Sequence, residues 1–324
     1  MKGLSDATLA HLGEVADWPD LSSTKYEAAS VLGRGGMATV YLAHDRDLGR
    51  EVAIKVMRLP EPAPEIAERL RQEARILAQL EHPGLVPVHD LGTLPDGRVF
   101  YVMKRVRGRR LDEHLRDERA LSARLRLFER VCETVSFAHA RGVIHRDLKP
   151  ENVMVGPFGE VLVLDWGVAK LSGDGDAAGP ASGLVPGPPT TAHGTVVGTP
   201  GFMSPEQARG QPVDARADVF ALGCILESML ADHGGPDAEG PARVPRPLAS
   251  ILAKALAPEP DQRYPGAREV GEDVARYLSG QRVRAHRESG FEVLGRLATK
   301  YKTPLALIIA YVMMRAALLF WRGR

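Results

Sequence analysis

The run His145-Arg146-Asp147-Leu148-Lys149-Pro150-Glu151-Asn152, with Asp165-Trp166-Gly167 beginning thirteen residues past Asn152, constrains this chain more than any other feature. Asp147 is placed to accept a hydroxyl proton. Lys149 can neutralise a transferring phosphate. Asn152 and Asp165 are hard oxygen donors of the kind magnesium takes. Two carboxylates and an amide supplied from adjacent loop ends fit two-metal phosphoryl transfer. A charged surface turn, the bland explanation, accounts for none of this spacing.

A second segment supports the same chemistry. In Leu32-Gly33-Arg34-Gly35-Gly36-Met37-Ala38-Thr39-Val40, three glycines within four residues let the backbone turn tightly and approach a phosphate with no Cβ in the way. Strand-like Val40-Tyr41-Leu42-Ala43 follows. A dinucleotide fold or P-loop needs a helix N-terminus behind its glycines, so both are disfavoured. The pattern suits a glycine-rich lid between antiparallel strands.

Fifteen residues past Val40 stands Lys55, in the alternating strand Glu51–Met57. Val52, Ile54 and Val56 point one way, and Ala53, Lys55 and Met57 the other. Only nine of the 42 basic residues are lysine, and a solvated surface role is the ordinary one. Glu73 argues otherwise. The spacing predicts a helix over Glu65–Leu80, with Ile66, Leu70, Leu77 and Leu80 on one face and Glu73 at its centre. A carboxylate facing inward needs a partner, and Lys55 is the candidate.

Together these motifs resemble a bacterial serine/threonine protein kinase of the eukaryotic-like (Hanks) type, over about Tyr26 to Val283. The resemblance implies an α+β, two-lobed fold: a small five-stranded antiparallel lobe with one helix (26–105), and a larger, mainly helical lobe (106–283). Lys55, Glu73, Asp147 and Lys149 match the family's catalytic positions, and Asn152 and Asp165 its metal ligands. The nucleotide would meet Leu32 through Val40, with Ala53 above the adenine and Met154 below it. Met103 would stand at the back, and Lys104–Val106 would form the hinge. Ala38 stands where many members carry a third glycine.

The family also implies a spine of Leu77, Val88, His145 and Trp166. It implies a Glu206–Arg263 pair, and an Asp218 that braces the catalytic loop. Gly198-Thr199-Pro200 and Ser204-Pro205-Glu206 match the substrate-side loop, with Thr199 as the pocket threonine. Thr190, Thr191 and Thr195 are the candidate phosphosites that Arg146 would meet. Trp166 departs from the usual phenylalanine. Only about seventeen residues separate Leu230 from Leu248, where the family usually places a further helix.

The remaining sequence sets boundaries. Hydrophobic residues make up 44% and charged residues 26%, with a formal net charge of +1, so nothing argues for nucleic acid as a partner. Cys132 and Cys224 are the only cysteines, which excludes a disulfide framework and suits a reducing compartment. Residues 1–25 read as an N-terminal extension without a secretory signal. Residues 171–194, rich in Gly, Ala, Ser and Pro, read as a flexible insert in the activation loop, and 284–303 as a juxtamembrane linker. Residues 304–321 are apolar but for Arg315, and eighteen helical residues reach about 27 Å, enough to cross a bilayer's hydrocarbon core. The expected location is the inner membrane, single-pass, with the kinase domain cytoplasmic; a cytoplasmic protein is the alternative.

The expected function is transfer of the ATP γ-phosphoryl, with Mg²⁺ (or Mn²⁺), to serine or threonine hydroxyls of proteins. Self-association for autophosphorylation in trans is expected with it. The rival readings are a catalytically weak pseudokinase serving as a nucleotide-binding scaffold, and a small-molecule kinase of the same fold.

Overall fold

The computed structural model describes residues 18–35, 38–58, 64–166, 201–231 and 244–288, together with 290, 308, 310–315 and 321. Alternating apolar residues build the first layer. Strands β1 (Tyr26–Arg34), β2 (Ala38–Asp45), β3 (Arg50–Met57), β4 (Val88–Thr93) and β5 (Val99–Lys104) form an antiparallel sheet in the order β1-β2-β3-β5-β4. Val52, Ile54 and Val56 join Tyr41, Ala43, Phe100 and Val102 in one cluster. The opposite parity, Met57, Val99 and Tyr101, packs with Ala67, Leu70 and Ala74 of helix α1 (Pro64–Gln79). The two clusters follow from the period-two alternation of β3 and β5.

The extension helps to close the first cluster. Leu21 is buried in it, and the Trp18 ring meets Tyr41 edge-on with centroids 5.4 Å apart. Arg98 donates to the Trp18 carbonyl at 3.1 Å and to the Asp96 carboxylate at 2.7 Å. Residues read as an extension thus contribute to the core of the small lobe.

The larger lobe carries a three-stranded antiparallel sheet, β6 (Arg109–Arg110), β7 (Val153–Val155) and β8 (Val161–Val163), in sequence order. Its described helices are α2 (Leu111–Asp117), α3 (Leu121–His139), α4 (Pro205–Ala208), α5 (Arg216–Ala231), α6 (Arg246–Ala255) and α7 (Ala267–Leu278). Phe128 and Val135 of α3, Leu222 and Ile225 of α5, Ile251 of α6 and Val270 of α7 share one core. Buried Arg124 of α3 donates to the carbonyls of Leu115, Glu118 and Met229, each at 2.7 Å. One guanidinium thereby satisfies carbonyls at the C-terminal ends of α2 and α5, which have no partner within their own helices.

The lobes meet where the chain leaves α1. The Val163 N–H donates to the Gly84 carbonyl at 2.9 Å, and Leu85 forms a parallel bridge with Val163. At the other end, the Asp273 carboxylate takes the N–H groups of Arg284 and Ala285 at 2.8 and 3.0 Å, and so fixes the start of the 284–303 segment. Among the described residues no helix is long and apolar enough to cross a membrane. Residues 310–315 are helical, with Tyr311, Val312, Met313 and Met314 exposed. Ile308 and Trp321 are exposed as well, and the remaining residues of 304–321 lie outside the described residues, as does the 171–194 insert.

Candidate active site

Strand β3 places Lys55 beside the helix that the small lobe packs on its sheet. Its Nζ lies 2.9 Å from Glu73 Oε1 and 3.4 Å from Asp165 Oδ1. Glu73 is buried on α1, as its central place on the apolar face requires. Burial works against the Lys55 ammonium. Tyr101, the carboxylates of Glu73 and Asp165, and the hydrogen bond to Glu73 outweigh it and hold the lysine charged, well above its ordinary pKa. Sequence reasoning missed Tyr101, whose hydroxyl donates to Glu73 Oε1 at 3.0 Å. Tyr101 is the β5 partner directly opposite Lys55, so strand register was the signal that could have found it.

Register also locates the proposed nucleotide face. Val40 pairs with Lys55, and Ala53 with Met103. Opposed residues of an antiparallel pair share a face, so Val40, Ala53 and Met103 lie on the side of Lys55. The tip of the glycine segment is closed by Gly35 N–H donating to the Ala38 carbonyl at 2.9 Å. Gly33 and Arg34 end β1, Thr39 is buried in β2, and Leu32 is about half exposed. Met154 sits half-buried on β7, and Val106 half-buried beyond β5. The Lys104 N–H is committed to the Pro87 carbonyl at 3.0 Å and is not a donor for a ligand. Gly36 and Met37 lie outside the described residues, as do Thr190, Thr191, Thr195 and Thr199.

The catalytic segment is held from below by Asp218 of α5. This buried carboxylate accepts the N–H groups of His145 and Arg146 at 2.7 and 2.8 Å, and faces His139 Nε2 at 2.8 Å. Burial would raise its pKa. The hydrogen bond to His139 and the His145 backbone N–H bond overcome that and lower it. Arg146 has φ 65°, a left-handed conformation unusual outside glycine, and its carbonyl is fixed by Gln207 Nε2 at 2.8 Å. The kink turns the chain so that Asp147 and Lys149 emerge together, with Lys149 Nζ 3.3 Å from Asp147 Oδ2.

His145 is fully buried, and its burial lowers its pKa against the pull of Asp218. Its Nε2 lies 2.9 Å from the Leu164 carbonyl, and its Nδ1 accepts the Asp147 N–H at 3.3 Å. These partners assign a neutral ring with the proton on Nε2. Its ring packs on Trp166 at a tilt of 49° with centroids 4.8 Å apart, and Leu77 and Trp166 share a cluster against which Val88 packs. The four spine residues are therefore together.

Asn152 Nδ2 donates to the Asp147 carbonyl at 2.8 Å, which leaves its amide oxygen as the side-chain atom able to ligate a metal ion. The Asp165 carboxylate is half-exposed, with one oxygen towards Lys55. One carboxylate and one amide oxygen, with no soft ligand, fit a magnesium or manganese ion whose remaining positions go to phosphates and water. Below the site, Arg263 grips Glu206 with two bonds of 2.6 and 2.8 Å, both side chains being buried.

A protein kinase domain model matches residues 26–267. The chain is 36% identical over 296 residues to a probable serine/threonine-protein kinase, SCO3848, of Streptomyces coelicolor, covering 84% of this chain and 42% of that protein. It is 36% identical over 288 residues to the serine/threonine-protein kinase PknB of Mycolicibacterium smegmatis, covering 81% and 44%. Against PknD of Protochlamydia amoebophila it is 34% identical over 303 residues, covering 81% and 30%. The chain thus spans less than half the length of these curated relatives. Among solved structures it resembles the PknI kinase domain of Mycobacterium tuberculosis, with a TM-score of 0.57, 25% identity, and coverage of 79% of this chain and 96% of that one. With that match across both lobes and the paired charges of the cleft, the chain belongs to the protein kinase family, in its bacterial eukaryotic-like serine/threonine branch.

Proposed function

We propose that this chain transfers the γ-phosphoryl group of ATP to serine or threonine hydroxyls of proteins, its own included. One observation carries the reading: Lys55 is paired with Glu73 and faces Asp165, the arrangement that a phosphate-binding cation and a metal carboxylate would need across the cleft. Lys55 would bind phosphate oxygens with its charge held by Glu73. Asp147 would orient the acceptor hydroxyl and take its proton, and Lys149 beside it would offset charge on the transferred group. Asp165 and Asn152 would hold a magnesium ion, which would supply charge neutralisation at the phosphates. The residues from Leu32 to Val40, with Ala53, Met103, Lys104, Val106 and Met154, would enclose the nucleotide. A pseudokinase would lack one of these charged groups, and none is missing.

Thr190, Thr191 and Thr195 would carry phosphates that pair with Arg146 and order the activation loop, while Thr199 would serve the acceptor pocket unmodified. Self-association would bring two copies together for this step. The segment 304–321 would hold the chain at a membrane, a reading supported by its composition and by the exposed apolar side chains of 311–314. Extraction of membranes with alkaline carbonate tests it, and release of the chain into the supernatant would rule out a spanning helix.

The deciding experiment is incubation with labelled ATP and magnesium, followed by mass-spectrometric mapping of phosphosites. Wild type should label itself and a generic basic protein, faster per molecule at higher concentration if the transfer is in trans. Asp147→Asn should lose transfer by a factor of about 10²–10⁴, yet still bind a non-hydrolysable ATP analogue. An active Asp147→Asn would overturn the catalytic assignment, and phosphate found on none of the three threonines would remove their regulatory role.

A further inference from the structure

Gln207 follows Glu206 on α4, yet its side-chain amide reaches into the catalytic segment. Its Nε2 donates to the Arg146 carbonyl at 2.8 Å. The other end of the amide fixes which way it faces. Oε1 accepts the Ser204 N–H at 3.2 Å and the Ser204 hydroxyl at 3.0 Å, so the NH₂ group is the end turned to the carbonyl. The bond falls on a strained place in the backbone. Arg146 sits at φ 65°, a left-handed conformation that costs a non-glycine residue free energy and persists only where its surroundings enforce it. Asp218 holds the Arg146 N–H on one side of that residue, and Gln207 holds the carbonyl on the other. The peptide unit joining Arg146 to Asp147 is thereby gripped at both its polar atoms: the carbonyl takes Gln207, and the Asp147 N–H donates to His145 Nδ1 at 3.3 Å. A peptide unit is planar, so fixing it fixes the direction in which the Asp147 side chain leaves the backbone. Helix α4 is anchored in turn, because Arg263 grips Glu206.

We propose that Gln207 is a positioning residue for Asp147: by holding the Arg146 carbonyl, its amide fixes the Arg146–Asp147 peptide and couples the aim of the aspartate to the seating of α4. The inference rests on the reading of Asp147 as the group that orients the acceptor hydroxyl. Without the amide donor, the part-buried carbonyl loses this partner and the strained peptide can turn. Conformations with Asp147 turned away from the acceptor then gain population.

Two variants of the full chain separate this role from the capping of α4. Gln207→Glu keeps an acceptor for Ser204, since Glu serves a capping box as Gln does, but sets a carboxylate oxygen against the Arg146 carbonyl. Gln207→Met keeps the length of the side chain and removes both the cap and the donor. For transfer to a generic basic protein, Gln207→Met should lower kcat roughly 2- to 12-fold, the worth of one hydrogen bond, and Gln207→Glu at least as much. KM for ATP should not move, because the proposed nucleotide face lies on β2, β3, β5 and β7. A role confined to capping gives the other pattern, with Gln207→Glu at the wild-type rate and Gln207→Met slowed, and that result would overturn the proposal.

The second measurement does not depend on activity. Amide hydrogen exchange, followed by mass spectrometry in peptides covering residues 143–149 of the nucleotide-free chain, should be faster in Gln207→Glu than in wild type. Unchanged exchange there would show that the amide does not hold the catalytic segment. Failure of wild type to transfer phosphate would count against the kinase reading instead, while the exchange rates would still report whether Gln207 fixes the Arg146–Asp147 peptide.

Discussion

Glu73 Oε1 accepts from both Lys55 Nζ and the Tyr101 hydroxyl, so one carboxylate oxygen positions the cation proposed to meet phosphate and is itself tethered to β5. Lys55→Met should cripple transfer. Glu73→Ala should do so less, because the lysine can still reach phosphate without its brace. The double variant should be no slower than Lys55→Met alone, since residues acting as a unit are non-additive; kcat/KM for a peptide substrate checks this, and additive losses would show that the two do not pair. His145 gives a pH signature. Its folded-state pKa is lowered from 6.5, so between that lowered value and 6.5 the unfolded chain binds more protons than the folded one. Its contribution is complete above about pH 6.5 and falls as pH drops below it. Urea titrations at pH 7.5 and 5.5 should show a loss in wild type that is smaller in His145→Phe; the comparison cancels the other histidines with lowered values, His82 and His89. At this scale the sequence was highly legible where the chemistry is contiguous, as from His145 to Asn152. It was opaque where a partner lies on another strand or helix. Tyr101, His139 and Gln207 contribute through tertiary contacts that no local spacing records.

Helix α4, only four residues long, is held less by its own turns than by the pair beneath it. Its Ser204 caps it reciprocally with Gln207, and Glu206 is gripped by Arg263. The two members of that pair are not equivalent. Arg263 also donates to the carbonyls of Ala257 and Pro258 at 2.8 Å and of Arg216 at 3.0 Å. Glu206→Ala therefore leaves a cation that still has three acceptors. Arg263→Ala leaves a buried carboxylate and three carbonyls without it. Breaking a buried pair costs about 3–5 kcal/mol, and Arg263→Ala should lie at the upper end with Glu206→Ala below it, as read from urea unfolding midpoints; equal losses would mean that the carbonyl contacts contribute nothing. Glu206 is kept below its ordinary pKa because the Arg263 bonds overcome its burial, so this stabilisation holds above pH 4.5 and is lost as pH falls through the lowered value. Long elements were legible to within about two residues. The periodicity predicts helices over Ala123–Arg141, Asp218–Ala231, Leu248–Leu256 and Ala267–Leu278; the structure has Leu121–His139, Arg216–Ala231, Arg246–Ala255 and Ala267–Leu278. Two of the early starts add residues such as Arg216 and Arg246-Pro247 that lie outside the apolar runs, and the third adds Leu121, which packs on the core. The strand expected over Glu160–Leu164 is Val161–Val163, while β6, β7 and α2 are too short to show any period and exist because neighbouring backbone pairs with or packs on them.

Across the whole molecule, the small lobe is seated on the large one at a point where a side chain has no room. Gly84 follows α1 and offers its carbonyl to Val163 of β8, two residues before Asp165. A Cβ at Gly84 would come within 1.9 Å of Thr134 Oγ1 and 2.9 Å of its Cβ. Thr134 cannot swing away freely: it lies buried in the middle of α3, with its hydroxyl bonded to the Arg130 carbonyl at 2.9 Å. Gly84 has no left-handed conformation to preserve, so the requirement for glycine is one of space. This position was not legible in the sequence, because the constraint comes from a helix fifty residues away. Gly84→Ala should push the loop off α3, lengthen or break the Val163 bond, and tilt α1 with Glu73 away from Lys55. The expected cost is that of overpacking, about 1–3 kcal/mol, accompanied by a fall in kcat larger than any change in peptide KM, because the displaced group serves phosphate alignment. Thr134→Ala in the same chain removes the 1.9 Å contact and leaves the 2.9 Å one, so it should return part of both the stability and the rate. Unfolding midpoints and steady-state kinetics on the single and double variants measure this. A Gly84→Ala protein as stable and as fast as wild type would show that the lobes are not set against each other at this contact.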